Sequence, residues 1–163
     1  MKDSRWILIP GNGIYVTQNY RAQVEVVGER QERTLSIEGK IQNIQLPRGR
    51  IPQIKGLSSF DHKGHLIAFR FGGPDHPANL VAMHGLINMS GGLWYQMEAR
   101  LAEALGERPG EMKVLVQYDD STDMMRPRSF CVHATNHAGQ EFHERMYNFN
   151  PHMDGRRHNT NRG

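Results

Sequence analysis

Asp61-His62-Lys63-Gly64-His65-Leu66-Ile67-Ala68 and Leu86-Ile87-Asn88-Met89-Ser90-Gly91-Gly92 bracket a segment in which strand, turn and helix signals follow one another closely. A histidine directly after a glycine stands in front of an apolar run, and Gly72-Gly73-Pro74 breaks that run. Asn79-Leu80-Val81 resumes in extended character, and a helix is predicted after Gly91-Gly92. Ser90 is placed to cap this helix, Trp94, Met97, Leu101 and Leu105 recur at helical spacing, and Gly106 stops it. At about 100° per residue these four side chains form one stripe, with Glu98 about 40° from Trp94 and Glu103 about 180° away. Glu103 therefore reads as solvated. Glu98 falls at the edge of the buried face, where an unpaired carboxylate is expensive. It is either a functional group or the partner of an arginine at the core rim, and the wheel leaves both open.

Working outward, residues 1–60 read as short strands joined by turns. Leu35 and Ile37 alternate with Ser36 and Glu38, and a turn at Glu38-Gly39-Lys40 predicts a hairpin with Ile41, Ile44 and Leu46. Val24-Glu25-Val26 is a candidate to pair with it. A basic loop with Arg48, Arg50 and Lys55 follows. Residues 111–149 predict a strand meander: Lys113 to Tyr118, Ser129 to Thr135, a turn at His137-Ala138-Gly139, and Glu141 to Tyr147. After Pro151 the stretch 155–163 carries arginines and no apolar residue, and 151–163 is read as a flexible basic tail. The expected organisation is one domain over 1–150.

The 163 residues suit one domain, long enough to bury a core without disulfide or metal staples. A single cysteine, Cys131, excludes an intramolecular disulfide framework and any cysteine-based zinc cluster. Net charge is +3, which permits an anionic partner without demanding one. No run approaches the roughly 20 apolar residues of a membrane helix. The start holds only a four-residue apolar run before Pro10, so no secretory signal peptide is expected there.

Taken singly, His65 reads as an ordinary structural histidine and Asn88 as a turn or capping residue. Taken together with Asp61, Arg70-Phe71-Gly72-Gly73-Pro74, Asn79-Leu80-Val81, Ser90-Gly91-Gly92, Trp94-Tyr95 and Met97-Glu98, the segment resembles the DNA/RNA non-specific endonucleases. These are ββα-metal (His-Me finger) enzymes, and the likeness is to their bacterial secreted toxin branch. It is close over about 61–106, extends through Arg126-Pro127, Phe130, Gly139 and Asn148, and is loose over 1–60.

The resemblance implies an α+β fold: a ββα core with a small, mainly antiparallel sheet. It implies hydrolysis of phosphodiester bonds in DNA, with RNA as a further substrate, leaving 5′-phosphate ends. His65 would be the general base, Asn88 the protein ligand of one Mg²⁺ (Mn²⁺ as a substitute), and Glu98 the residue ordering the metal's waters. Asn79 would support the site. Lys63 and Arg70, beside His65, would contact substrate phosphate. Departures from the family pattern are Lys63, a point charge where a bidentate arginine is common, and Met89, where a basic residue is common. His62 stands as a competing base.

The chemistry suits these residue types. A neutral imidazole can take a proton from water near pH 7, and Mg²⁺ keeps several waters, so one amide oxygen from the protein can suffice. The resemblance further implies an antibacterial effector delivered by a specialised secretion system, acting in the target-cell cytoplasm and countered by a cognate immunity protein. The alternative is a catalytically weak nucleic-acid-binding domain on the same scaffold. Two other signals are read as plain surface. Asp119-Asp120-Ser121-Thr122-Asp123 lacks the Gly and Glu of a calcium loop, and His133, His137 and His143 lack the spacing of a zinc site.

Overall fold

Period-two alternation of apolar and polar side chains builds most of this protein, and one helix covers the apolar side of what results. The computed structural model describes residues 7–9, 13–44, 51–119 and 124–149. The expectations for the chain start, for Arg48 and Arg50, for Asp120–Asp123 and for the basic tail lie outside the described residues.

Seven strands form one antiparallel sheet in the order β1-β2-β3-β4-β7-β8-β9. They are β1 (Ile7–Ile9), β2 (Ile14–Val16), β3 (Tyr20–Val27), β4 (Gln31–Ile41), β7 (Gly110–Tyr118), β8 (Pro127–Thr135) and β9 (Glu141–Tyr147). Between the neighbouring strands β4 and β7 the chain leaves to build a separate two-stranded sheet, β5 (Asp61–His65) and β6 (Leu80–His84). A single turn, α1 (Gly85–Asn88), and the long helix α2 (Leu93–Leu105) follow. This is the expected α+β architecture, a ββα unit inserted between flanking strands, although the flanking sheet is larger than expected.

The meander over 111–149 forms as predicted, and Val24 and Val26 pair with Thr34 and Glu32. The hairpin at Glu38-Gly39-Lys40 does not form, because β4 runs straight through it. Gly39 is there for a close approach: a Cβ would lie 2.1 Å from the Asn19 carbonyl oxygen of the preceding turn. Ser90 does not cap α2 either. The helix begins at Leu93 with Gly92 at its N-cap and no side chain bonding the first turn.

The inner face of the sheet supplies Ile37, Val114, Val116, Phe130 and Val132 to the core, all buried. Helix α2 adds the predicted stripe of Trp94, Met97, Leu101 and Leu105, with the Trp94 ring edge-on to Phe130 at 5.2 Å. Burying a large apolar side chain contributes about 1.5–3 kcal/mol, so this stripe is what fixes α2 on the sheet. Val81 and Met83 of β6 join the same cluster. The outer face carries Glu38, Lys113, His133 and His143, all exposed, and the two histidines are a directly opposed cross-strand pair. Among the described residues no helix is long and apolar enough to cross a membrane.

Candidate active site

Strand β5 ends at His65, paired with Leu80 of β6. The chain then makes a tight excursion whose turn is Gly72-Gly73-Pro74. A Cβ on Gly73 would meet the Ile67 carbonyl oxygen at 1.7 Å, so only glycine lets the loop fold back this closely. The excursion returns Asp75 to the start of the loop, where its Oδ1 lies 2.7 Å from His65 Nε2. The two side chains are 12% and 19% exposed, so the pair is largely sheltered from screening water. Phe69 packs edge-on against the imidazole at 6.4 Å.

Asn79 holds that loop shut. Its Oδ1 accepts from the Ile67 backbone N–H at 2.8 Å. Its Nδ2 donates to the Ile67 carbonyl at 2.9 Å and the Pro74 carbonyl at 3.0 Å. The side chain is fully buried, which such complete pairing permits. These bonds tie together the two ends of the loop that runs from His65 to Asp75.

Asn88 closes α1. Its Nδ2 stands 3.3 Å from Nδ1 of His62, a geometry that requires the His62 nitrogen to accept. Its Oδ1 takes no hydrogen bond among the described residues. His62 and His65 are three residues apart on β5, so their side chains leave opposite faces and their Cα atoms are about 10 Å apart. The contacts therefore bring Asn88 to His62 and His65 to Asp75, and no hydrogen bond joins His65, Asn88 and Glu98 directly.

Glu98 sits on α2 as the wheel placed it. Burial pushes its carboxyl up to about 7, with the Trp94 indole and the Arg70 guanidinium pulling weakly the other way. That indole N–H is buried and has no acceptor within hydrogen-bond range, so it attracts the carboxylate without bonding it. The rim-arginine reading is met in part, because Arg70 acts on Glu98 through its field while remaining exposed. Lys63 lies two residues from His65 on the same face of β5.

One group escaped the sequence reading, and another entered it only as part of the resemblance, with no role. Asp75 carries no motif, although an acidic residue directly after Gly-Gly-Pro, where the chain reverses, is a usable signal. Arg126 forms a bidentate pair with Asp61, both contacts at 2.9 Å, and the Asp61 side chain is wholly buried. Burial alone would raise the Asp61 carboxyl, but Arg126 and the Ser58 N–H outweigh it and hold it below its ordinary value. Asn148 adds a further tie: it accepts from His84 N–H and donates to the carbonyls of Ala82 and Pro127.

The donors near α1 and α2 suit a hard cation. The Asn88 amide oxygen and the Glu98 carboxyl are both oxygen groups, the type that suits Mg²⁺ directly or through its retained waters. Among the described residues no cluster of three His, Cys, Asp or Glu side chains could hold a metal by itself.

Against known proteins, the family model described as DNA/RNA non-specific endonuclease matches residues 16–138. The fold is similar to NucA from Streptococcus agalactiae, solved with magnesium ion bound, at 19% identity and a TM-score of 0.56, covering 90% of this chain and 83% of that one. It is also similar to an extracellular endonuclease at 20% identity and a TM-score of 0.53, covering 83% and 81%. An extracellular nuclease at 20% identity has a TM-score of 0.51, covering 88% and 92%.

Proposed function

The chain belongs to the DNA/RNA non-specific endonucleases, a family of nucleic-acid hydrolases, and from this we propose that it cuts internal phosphodiester bonds of DNA and RNA with His65 as general base. The observation that carries the proposal is the sheltered His65–Asp75 pair at 2.7 Å. With Nε2–H donating to Asp75, Nδ1 keeps its lone pair and can take the proton of an attacking water. Asp75 then stabilises the imidazolium that forms, as a carboxylate behind a catalytic histidine does.

Asn88 would hold Mg²⁺ through Oδ1, and Glu98 would accept hydrogen bonds from the ion's waters. The magnesium in the NucA structure supports this choice of ion, and Mn²⁺ would substitute. Stabilising the charge that builds on the attacked phosphate is the chemistry Mg²⁺ supplies when bound. Lys63 and Arg70 would hold the substrate phosphate without reading sequence. The same reading takes residues 1–150 as the nuclease domain and 151–163 as a basic tail. It also takes the protein as an antibacterial toxin that acts in a target cell and meets an immunity protein. Sequence resemblance supports that wider role, and the names of two fold neighbours, an extracellular endonuclease and an extracellular nuclease, support secretion.

The Asn88–His62 contact favours a second reading, with His62 as the base. Plasmid digestion separates the two. Under the first, EDTA and His65→Ala each abolish cutting, while His62→Ala retains it within about tenfold. The reverse pattern of the two alanine variants installs His62. Gel retention without cleavage in Mg²⁺ would leave only a binding domain.

A further inference from the structure

Phe60 is 61% exposed, yet the chain that carries it is pinned on every side. Ser58 and Asp61 exchange two hydrogen bonds across it, at 2.9 and 3.1 Å. Asp61 is clamped by Arg126, and the Phe60 carbonyl accepts from Gly85 N–H at 2.8 Å. Leaving a phenyl ring in water forgoes its burial energy, which a fold with a loop this rigid had no need to do. One face of the ring lies nearly parallel to His84, with centroids 6.1 Å apart and planes 16° apart. His84 is buried beneath it.

The ring also has a telling position. Gly85, which bonds the Phe60 carbonyl, begins the turn that ends in Asn88. A Cβ on Gly85 would meet both the Phe60 carbonyl oxygen, at 3.1 Å, and His62 Nε2, at 3.0 Å. The Phe60 carbonyl and the His62 ring are thus neighbours around Gly85, and His62 in turn touches Asn88, the candidate metal ligand. Leu86, also exposed, extends the apolar ground beside it.

We infer that Phe60 is a stacking platform for an unpaired nucleobase of the substrate, so the enzyme prefers single-stranded or locally unpaired nucleic acid. This deepens the nuclease reading and rests on it. A ring on a fixed backbone, backed on one face by His84, has less conformational freedom to lose when a base settles on it, and every base offers a π-face, so the contact needs no particular sequence. A paired base inside a duplex is already covered above and below by its neighbours. Only a base freed from the stack can use the platform, and that is the origin of the preference.

The test compares the wild type with Phe60→Ala, Phe60→Leu and Phe60→Trp. KM and kcat are measured on a single-stranded oligonucleotide and on a fully paired hairpin of the same sequence. Binding of fluorescein-labelled oligothymidylate is followed by anisotropy in EDTA. Phe60→Ala and Phe60→Leu are expected to raise KM and Kd on single strands about tenfold, the typical loss of one stacked base. Phe60→Trp stays near the wild type, and the hairpin changes less than about twofold. Unchanged single-strand constants in the alanine variant, or equal losses on both substrates, overturn the proposal. So does full activity with leucine, which would make the contact apolar rather than a stack. If the wild type cuts nothing, the nuclease reading fails by itself, and the anisotropy series still decides whether Phe60 stacks a base.

Discussion

Replacing Glu98 by glutamine keeps the shape of the side chain and removes its charge, and the structure fixes how that should change with pH. Burial raises the Glu98 carboxyl from its ordinary 4.5 to about 7. The folded state therefore holds this proton more tightly than the unfolded chain does. The stability it brings is complete below about pH 4.5 and is lost as pH rises through 7. A rise of this size corresponds to about 3 kcal/mol, fully felt above about pH 8. Without metal, Glu98→Gln should match the wild type near pH 4.5 and exceed it by about 3 kcal/mol at pH 8.5. Urea unfolding followed by tryptophan fluorescence in EDTA, at a series of pH values, reads the difference directly. Adding Mg²⁺ should shrink the gap, because a cation beside the carboxylate stabilises the charged form that glutamine cannot take. A difference that stays flat across the pH series would show that the Glu98 carboxylate is already solvated or paired, and the argument for a cation beside it would fall.

Three further outcomes follow from contacts described above. Asp75→Asn preserves the loop but removes the charge behind His65, so kcat on plasmid DNA should fall by about tenfold or more with KM little changed. Asn79→Ala leaves the Ile67 N–H and carbonyl without partners, and should cost about 2–4 kcal/mol in urea unfolding as well as most of the activity. Arg126→Met strands the buried Asp61 carboxylate and should destabilise by about 3–5 kcal/mol at neutral pH. Because Asp61 is held below its ordinary value, its contribution exists above that range and disappears as pH falls through it, so unfolding measured near pH 3 should narrow the gap between variant and wild type.

The elements legible in the sequence were those whose signal is periodic and local. Trp94, Met97, Leu101 and Leu105 marked the buried stripe of α2, and the same wheel put Glu98 at its margin, where the carboxyl is in fact perturbed. Alternation marked β7, β8 and β9. Gly39 misled because glycine signals a turn and a close approach equally well, and only the Asn19 carbonyl across the gap tells them apart. Ser90 misled because it has the chemistry of a cap but the chain reaches helical geometry two residues later. Asp75 and Arg126 were illegible for a different reason. Their roles come from partners 10 and 65 residues away, and no local pattern encodes a pairing of that kind.

The site is held at two ends by different means, and the difference has consequences. At the His65 end the restraint is local: Asn79 ties the loop to itself through bonds to Ile67 and Pro74. At the Phe60 and His62 end it comes from the large sheet, through Arg126 on Asp61 and Asn148 on Ala82 and His84. Each neutral hydrogen bond among these adds only about 1 kcal/mol net, so stability alone does not explain the ties. What the ties supply is position, since a misplacement of about 1 Å at a catalytic group costs far more rate than stability. Damage at the two ends should therefore be separable. Loosening Asn79 should strike proton transfer at His65 and lower kcat. Loosening Arg126 or Asn148 should disturb the surface that receives the nucleic acid and raise KM first, leaving the His65–Asp75 pair intact.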